Sequence, residues 1–251
     1  MIPHGPGRPE RISQSISVIV PCYHDESRLR RLLGQMGSLP CRPKEILVID
    51  AADSPECRAL CQEYGTIHLP STPCRGRQLR AGADRARGTI LWFLHADVRL
   101  SGDPLTAMTR VLAKGAVGGY FRFRFDGPRS WQTTLLEKAI ALRSHFGIPY
   151  GDQGLFMTRE TYFLSGGHAP WPLFEEVPLV QGLRRIGRFS ALREVLLVDP
   201  RRWIQEGWWR RTWRNRSLAL FFALGVSPER LAVHYQHRSL RHSMSGKEQS
   251  K

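Results

Sequence analysis

The residues best placed to do chemistry sit at the ends of short apolar runs. ILWFLHAD, Ile90 to Asp97, is apolar and aromatic until it delivers His95 and Asp97. Two earlier runs end the same way. SISVIVP leads into Tyr23, His24, Asp25 and Glu26, and EILVID ends on Asp50 with Asp53 close behind. A short, continuously apolar run is what a strand covered on both faces looks like. Such a strand cannot hold a carboxylate in its interior, so each acid should emerge at the carboxyl end, the rim where open α/β sheets bind ligands. A carboxylate two residues after a His on a rigid strand end suits a divalent cation and the sugar or phosphate oxygens around it. Taken alone, Asp97 could instead cap the following turn. Three acid-bearing ends on one rim are hard to explain by packing, and they fit a nucleotide site. No GxGxxG follows the first strand and no GxxxxGK[ST] occurs, so neither a dinucleotide fingerprint nor a phosphate loop is present.

The elements that must position these clusters alternate over the first hundred residues. Strands are expected at 15–21, 45–50, 66–69 and 89–94, with helices over 26–36, 54–64 and 76–87 between them. Strand-helix alternation with short connections implies βαβ units and a parallel sheet. Beyond residue 100 the pattern is mixed. VGGYFRFRF, Val117 to Phe125, alternates as a strand, a helix is expected at 131–146, and a polar loop 147–154 precedes a strand at 155–158. The segment 172–186 brings Glu175 and Glu176 into a helix start. A final helix is expected at 217–224, with another from Pro228. The division implied is a lead-in at 1–14, a nucleotide-binding half at 15–100, an acceptor and catalytic half at 101–236, and a flexible tail at 237–251.

The chain has 251 residues, 41% of them hydrophobic, enough for one large domain. Its five cysteines form no paired CxxC arrangement, and Cys57 and Cys61, four apart, read as packing residues on a helix face. The N-terminus lacks the apolar stretch of a signal peptide, and the longest apolar run, Leu218 to Val226, is far below the ~20 residues that span a bilayer. A cytoplasmic protein is expected. The net charge is +15, and residues 184–251 hold 15 Lys/Arg against 5 Asp/Glu. That favours an anionic partner, although 32 of the 37 basic residues are Arg, a bias that also fits many solvated positions.

SVIVPCYHDESRL, EILVIDAADS, RGRQLRAGADRARGTILWFLHAD, FEEVPLVQGLRRIGR and PRRW, in this order over about 16–235, resemble a family 2 glycosyltransferase. The nearest likeness is to a compact subgroup associated with selenium- and arsenosugar-related gene clusters. The resemblance implies a single GT-A domain, α/β and Rossmann-like, with a mostly parallel central sheet and C-terminal helices. It places Pro21, Tyr23 and Glu26 at the first nucleotide-binding strand end, with Asp25 where Asn is usual. Asp50 takes the position that reads the nucleobase, and Arg77 and Gln78 lie near the donor's phosphates, where a helix N-terminus independently suits an anion. His95 and Asp97 stand for the acid-x-acid metal motif. His replaces the first acid, as in the subgroup, leaving Asp97 the main ligand and His95 a ribose contact or neutral ligand.

The same resemblance makes Glu175-Glu176 the acidic pair whose second member is the general base, with Glu where Asp is usual. It sets Asp152 and Gln153 of a GDQG loop, with Arg202 and Trp203, on the acceptor and diphosphate side. The implied reaction is inverting transfer from a UDP- or GDP-sugar, assisted by Mn or Mg, to an unidentified acceptor. Two other readings stand beside it: a nucleotide-sugar-binding protein without catalysis, and a basic anion- or nucleic-acid-binding module. Acids on three strand ends would repel a polyanion, so no nucleic-acid partner is expected. The segment GWWRRTWRNR followed by LALFFALGV is read as a helix closing the core over the sheet. Weak contact with the inner face of the membrane is its alternative, since indole with guanidinium suits a lipid interface.

Overall fold

A computed structural model describes residues 15–235. The lead-in at 1–14 and the tail at 237–251 lie outside the described residues. The first half alternates as its sequence demands: β1 (Ile16–Cys22), α1 (Glu26–Gly37), β2 (Glu45–Asp50), α2 (Pro55–Glu63), β3 (Ile67–Pro70), α3 (Arg75–Arg85) and β4 (Ile90–Phe93). Successive β1 residues pack on opposite faces, Val18 and Val20 with Leu29 and Leu33 of α1, Ile19 with Leu79 and Ala83 of α3. Both faces are covered, hence the unbroken apolar run. Helix α2 starts on Ser54, whose hydroxyl accepts from the Cys57 N–H, with Pro55 at its first position.

The second half contains β5 (Val98–Leu100), α4 (Pro104–Ala113), β6 (Gly118–Phe125), α5 (Trp131–Phe146), a 3₁₀ turn (Gly151–Gln153), β7 (Phe156–Thr158), α6 (Arg159–Leu164), α7 (Glu176–Ile186), β8 (Phe189–Val198), α8 (Arg201–Glu206) and α9 (Trp208–Ala223). A further helical segment covers 228–235. All eight strands join one sheet in the order β3-β2-β1-β4-β7-β6-β8-β5. The first four run parallel, and β6 and β8 are parallel to each other. Strands β7 and β5 oppose their neighbours. This is the single α/β domain expected, with a mostly parallel sheet.

Three elements differ from their sequence patterns. Strand β8 carries Arg193 and Glu194 mid-run, which hides its period, and β5 has only three residues, held to β8 and to Gln35 of α1. Helix α9 begins at Trp208, nine residues before the expected start. Gly207, at φ +86°, separates it from α8, and Glu206 bridges the break by pairing with Arg211 and Arg214. The closing role expected of this segment is shared out. Trp203 and Trp208 pack edge-on against Phe125, whereas Trp209 and Trp213 face outward.

Candidate active site

The site is built on the carboxyl rim of the central strands. After Phe93 the chain leaves β4, and His95, Ala96 and Asp97 form the connection to β5. Asp97 lies among acids and bases from three other segments. Burial pushes its carboxyl above the usual range, Arg202 and Arg28 pull it back, and Asp199 adds like charge. Asp25, which pairs with Arg28, is also raised, chiefly by burial, with the Asp97 charge contributing. Arg201 stands 3.9 Å from Asp25 and 3.8 Å from Asp199. Acids and guanidinium groups therefore alternate around Asp97, so the rim holds several carboxylates without a net like-charge cluster.

His95 is held neutral. Burial, then the charge of Arg75, lowers its pKa to about 3. Its Nε2 has no hydrogen-bond partner, and the Gly151 backbone lies against it: a Cβ at Gly151 would stand 2.9 Å from that nitrogen. The next residue, Asp152, has an unpartnered buried Oδ1. Its carboxyl is raised by burial, lowered by Arg143 and raised again by Asp97. Gly154 follows at φ +58°, the left-handed turn that lets the backbone pass Trp92 and Leu94 into β7.

The acidic pair is set by contacts between α3 and the loop before α7. The Gly76 N–H donates to the Trp171 carbonyl at 3.0 Å, an approach so close that any Cβ there would collide with the Ala169 carbonyl. That contact brings Arg75 to Glu175, its Nε donating to Oε1 at 2.5 Å and its Nη2 to Oε2 at 3.2 Å. Glu175 is thus a fixed, charge-paired carboxylate. Glu176, the first residue of α7, is buried with Oε2 unpartnered. Its pKa is raised to about 8, by burial first and by the neighbouring Glu175 charge second, with Arg75 opposing. Adjacent in sequence, the two acids stand in opposite environments, Glu175 paired with a cation and Glu176 buried with an unpartnered oxygen. Arg143, stacked 3.9 Å over the Tyr150 ring, sits beside this pocket.

Several expected site residues bind the frame. Asp50 is fully buried; its Oδ1 accepts from the Ala52 N–H at 2.9 Å, and its Oδ2 from the Ser54 N–H at 2.8 Å with His68 Nε2 at 3.3 Å. It orders the turn after β2 and has no free edge facing the rim, and His68 is its partner. Gln78 donates through Nε2 to the Cys22 and Ile49 carbonyls, tying the ends of β1 and β2 together. Gln153 is buried between Ser144, Arg143 and the Phe121 carbonyl. Glu26 accepts from the Ser54 hydroxyl at 2.9 Å. Trp203 has Arg211 4.7 Å over its ring, and its edge meets Phe125. Pro21 pairs with Ile49 within the sheet. Tyr23 and Arg77 are exposed, and Arg202 is exposed except that its Nη1 meets the Tyr235 hydroxyl at 3.2 Å.

Three residues that spacing did not single out complete the site: Arg75, Arg143 and Tyr235. In RGRQLR the register decides whether Arg75 or Arg77 points inward, and the glycine between them made the close approach that chose Arg75. Tyr235 accepts from both Arg202 and Arg211, and those cations pull its hydroxyl below the ordinary tyrosine range against the effect of burial.

The donor set around Asp97 suits a divalent cation. His95 Nε2 and Asp152 Oδ1 are buried without partners, and the Asp97 charge acts on Asp152, so the residue types suit a hard-to-borderline ion. Among the described residues, the three ligand atoms that lie within 4.8 Å of one another belong to Cys22, Asp50 and Cys57, in the core below the rim, so His95, Asp97 and Asp152 would have to draw closer around an ion. Two surface depressions lie at the far ends of the strands or against α1, and neither is lined by an acid.

In fold, the chain is similar to glucosyl-3-phosphoglycerate synthase from Mycobacterium tuberculosis, solved with Mn2+, UDP and glucosyl-3-phosphoglycerate. The identity is 17%, the TM-score 0.56, and 77% of each chain is covered. It is also similar to S. aureus TarS, at 15% identity and a TM-score of 0.55, over 74% of this chain and 37% of that one. No curated protein matches the sequence. The profile described as glycosyl transferase family 2 matches residues 17–169, which takes in β1 through β7 with the His95-Asp97 rim. The chain belongs to glycosyl transferase family 2, and it is a glycosyltransferase with the GT-A fold.

Proposed function

We propose that the chain transfers a sugar from a nucleoside diphosphate sugar to an acceptor nucleophile with inversion, Glu176 acting as general base. The observation that carries this reading is the divided acidic pair. Glu175 is committed to Arg75, while Glu176 keeps an unpartnered oxygen in a buried site and a pKa of about 8. Once ionised, a carboxylate with that affinity for protons takes one from an attacking hydroxyl readily, and its ionised fraction grows as pH rises toward 8. Such a base contributes typically ~10²–10⁴-fold.

The donor diphosphate enters over the rim. Asp97, His95 and Asp152 would hold a divalent ion, Mn or Mg, which neutralises charge on the departing diphosphate when bound. Arg202, steadied by the Tyr235 hydroxyl, and Arg28 supply fixed positive charge on the same side. The donor base, uracil or guanine, is received between Tyr23, exposed on the β1 end, and the turn that Asp50 shapes. Arg77, exposed in the first turn of α3, faces the donor's phosphates. Glu175, fixed by Arg75, positions the start of α7 and the donor sugar. An imidazole in place of an acid lowers the site's negative charge by one, so divalent-ion affinity should be weaker than at a two-acid rim.

The experiment is a transfer and donor-hydrolysis screen of UDP- and GDP-sugars, with Mn2+, Mg2+ or chelator, read by mass spectrometry. Release of nucleoside diphosphate that depends on Asp97 and Glu176 supports the reading. Nucleotide binding without turnover against any donor would favour a non-catalytic binding protein instead.

A further inference from the structure

Helices α5 and α9 each carry a second apolar face, turned away from the core. On α5 the inward residues are Thr133, Leu136, Ile140 and Ser144. Trp131, Leu135, Leu142 and Phe146 are exposed, and at 3.6 residues per turn they fall within about 60° on the opposite side. On α9, Trp209, Trp213 and Leu220, with Leu224 at its C-cap, repeat the same spacing, i, i+4, i+11, i+15, and again fall within about 60°. Exposure reaches 76% at Trp213 and 77% at Phe146. The two stripes meet where the Trp131 and Trp209 rings lie 5.5 Å apart. Single exposed apolar residues are ordinary on protein surfaces, whereas two stripes joined by their tryptophans form a patch that needs a partner.

The geometry points to an anionic lipid bilayer as that partner, with α5 and α9 lying in its interface. The charges around the patch decide between occupants. Exposed Arg210 and Arg216 border the α9 stripe, exposed Lys138 borders the α5 stripe, and α9 contains no acid. The one acid of α5, Glu137, is turned away and paired with Arg129. Indole, leucine and phenylalanine flanked by cations match the headgroup layer of a negatively charged membrane. A second copy of this face would set like charges against each other. The segment 236–251 brings only Leu240 and Met244 as large apolar side chains, too few to cover both stripes. On its inner side α9 rests on the loop before the acidic pair, Phe222 stacking on Phe174 at 4.6 Å. A docked chain would therefore hold the acceptor side of the site against the membrane surface. The docking itself does not depend on the sugar-transfer reading.

The test is co-sedimentation of the full chain with phosphatidylglycerol-containing vesicles and with pure phosphatidylcholine vesicles, at low and high salt. The wild type should partition onto anionic vesicles, with a blue shift in tryptophan emission, and should be released in part by salt. Trp213→Ser with Leu220→Ser should cut partitioning at least ~10-fold, because burial of these side chains supplies the apolar share of binding. An unchanged melting temperature and donor hydrolysis would show that this variant is folded. Arg210→Glu with Arg216→Glu should lose the preference for anionic lipid. Equal partitioning of the wild type and the Trp213/Leu220 variant would overturn the proposal, since charge alone would then explain binding. A stable wild-type dimer by light scattering that the same variant makes monomeric would also overturn it, assigning the face to a second copy.

Discussion

Replacing Glu176 by Gln separates a catalytic base from an acid that merely begins a helix, and it does so before any acceptor is identified. An acid whose pKa rises on folding is bound to its proton in the native state over a range where the unfolded chain has already lost it. For Glu176 that range runs from the ordinary 4.5 to about 8. Stability from this group is complete below 4.5 and is lost as pH rises through about 8. At 1.36 kcal/mol per unit, a displacement of that size corresponds to at most ~5 kcal/mol, and relaxation of the pocket would leave about 2–5 kcal/mol. The amide of Gln keeps the shape and never ionises, so the variant avoids the loss. For a chain of this length each kcal/mol moves the melting temperature by roughly 2–4 °C. The melting-temperature gap between Glu176→Gln and wild type should therefore widen by roughly 5–15 °C from pH 5 to pH 8.5. The same variant should lose at least ~10²-fold in turnover with donor binding almost intact. A gap that stays flat with pH would refute the buried, protonated Glu176. A flat gap together with full turnover would remove it from the mechanism altogether.

Three further outcomes test the surrounding geometry. Glu175→Gln releases Arg75 toward Glu176, so the pH-dependent loss of stability should shift to lower pH, while the orphaned guanidinium costs on the order of 3 kcal/mol at all pH values in chemical denaturation. Thermal shift should show stabilisation by UDP or GDP growing with Mn2+, ~2.7 kcal/mol at 100 times the dissociation constant. Asp97→Ala should abolish the metal-dependent part, and Gly151→Ala, which presses on His95, should weaken it with little change in the unliganded melting temperature. Trp208→Ala should destabilise by roughly 3 kcal/mol because its half-buried ring packs against the core at Phe125, whereas Trp213→Ala should stay within about 0.5 kcal/mol. Equal effects at the two tryptophans would contradict the orientation of α9.

The first half of the fold was legible because buried parallel strands and amphipathic helices leave unambiguous periods in sequence. Val18, Ile19 and Val20 face opposite layers, so all three must be apolar. The rim followed from the same rule, since His95 and Asp97 had to sit where the apolar run ended. Individual roles on the rim were harder to read. Asp50 has the right residue type at the right strand end, yet the turn that follows presents the Ala52 and Ser54 N–H groups to it, and the carboxylate is used there. Gln78 is likewise consumed by two carbonyls that belong to distant strands. Such partners are set by tertiary contacts that no local pattern encodes. Strand β8 was missed for a related reason: it carries Arg193 and Glu194 mid-run next to the short edge strand β5, so neither alternation nor an apolar run survives.

Which acid of a pair serves as base cannot be read from the pair. Glu175 and Glu176 are chemically identical and share the same helix start, so the dipole favours both about equally. The difference comes from Arg75, a hundred residues earlier, which reaches Glu175 with both arms of its guanidinium and leaves Glu176 with only the diluted field of the same charge. One cation thus sets the two acids apart, pairing with Glu175 and leaving Glu176 to the burial that raises its pKa. It can do so because Gly76 lets α3 touch the Ala169–Trp171 backbone, setting the distance between the guanidinium and the loop. The base is therefore specified by a glycine and an arginine on one helix as much as by the glutamate itself. A longer side chain at position 76 would move Arg75 and blur the distinction before it touched either acid.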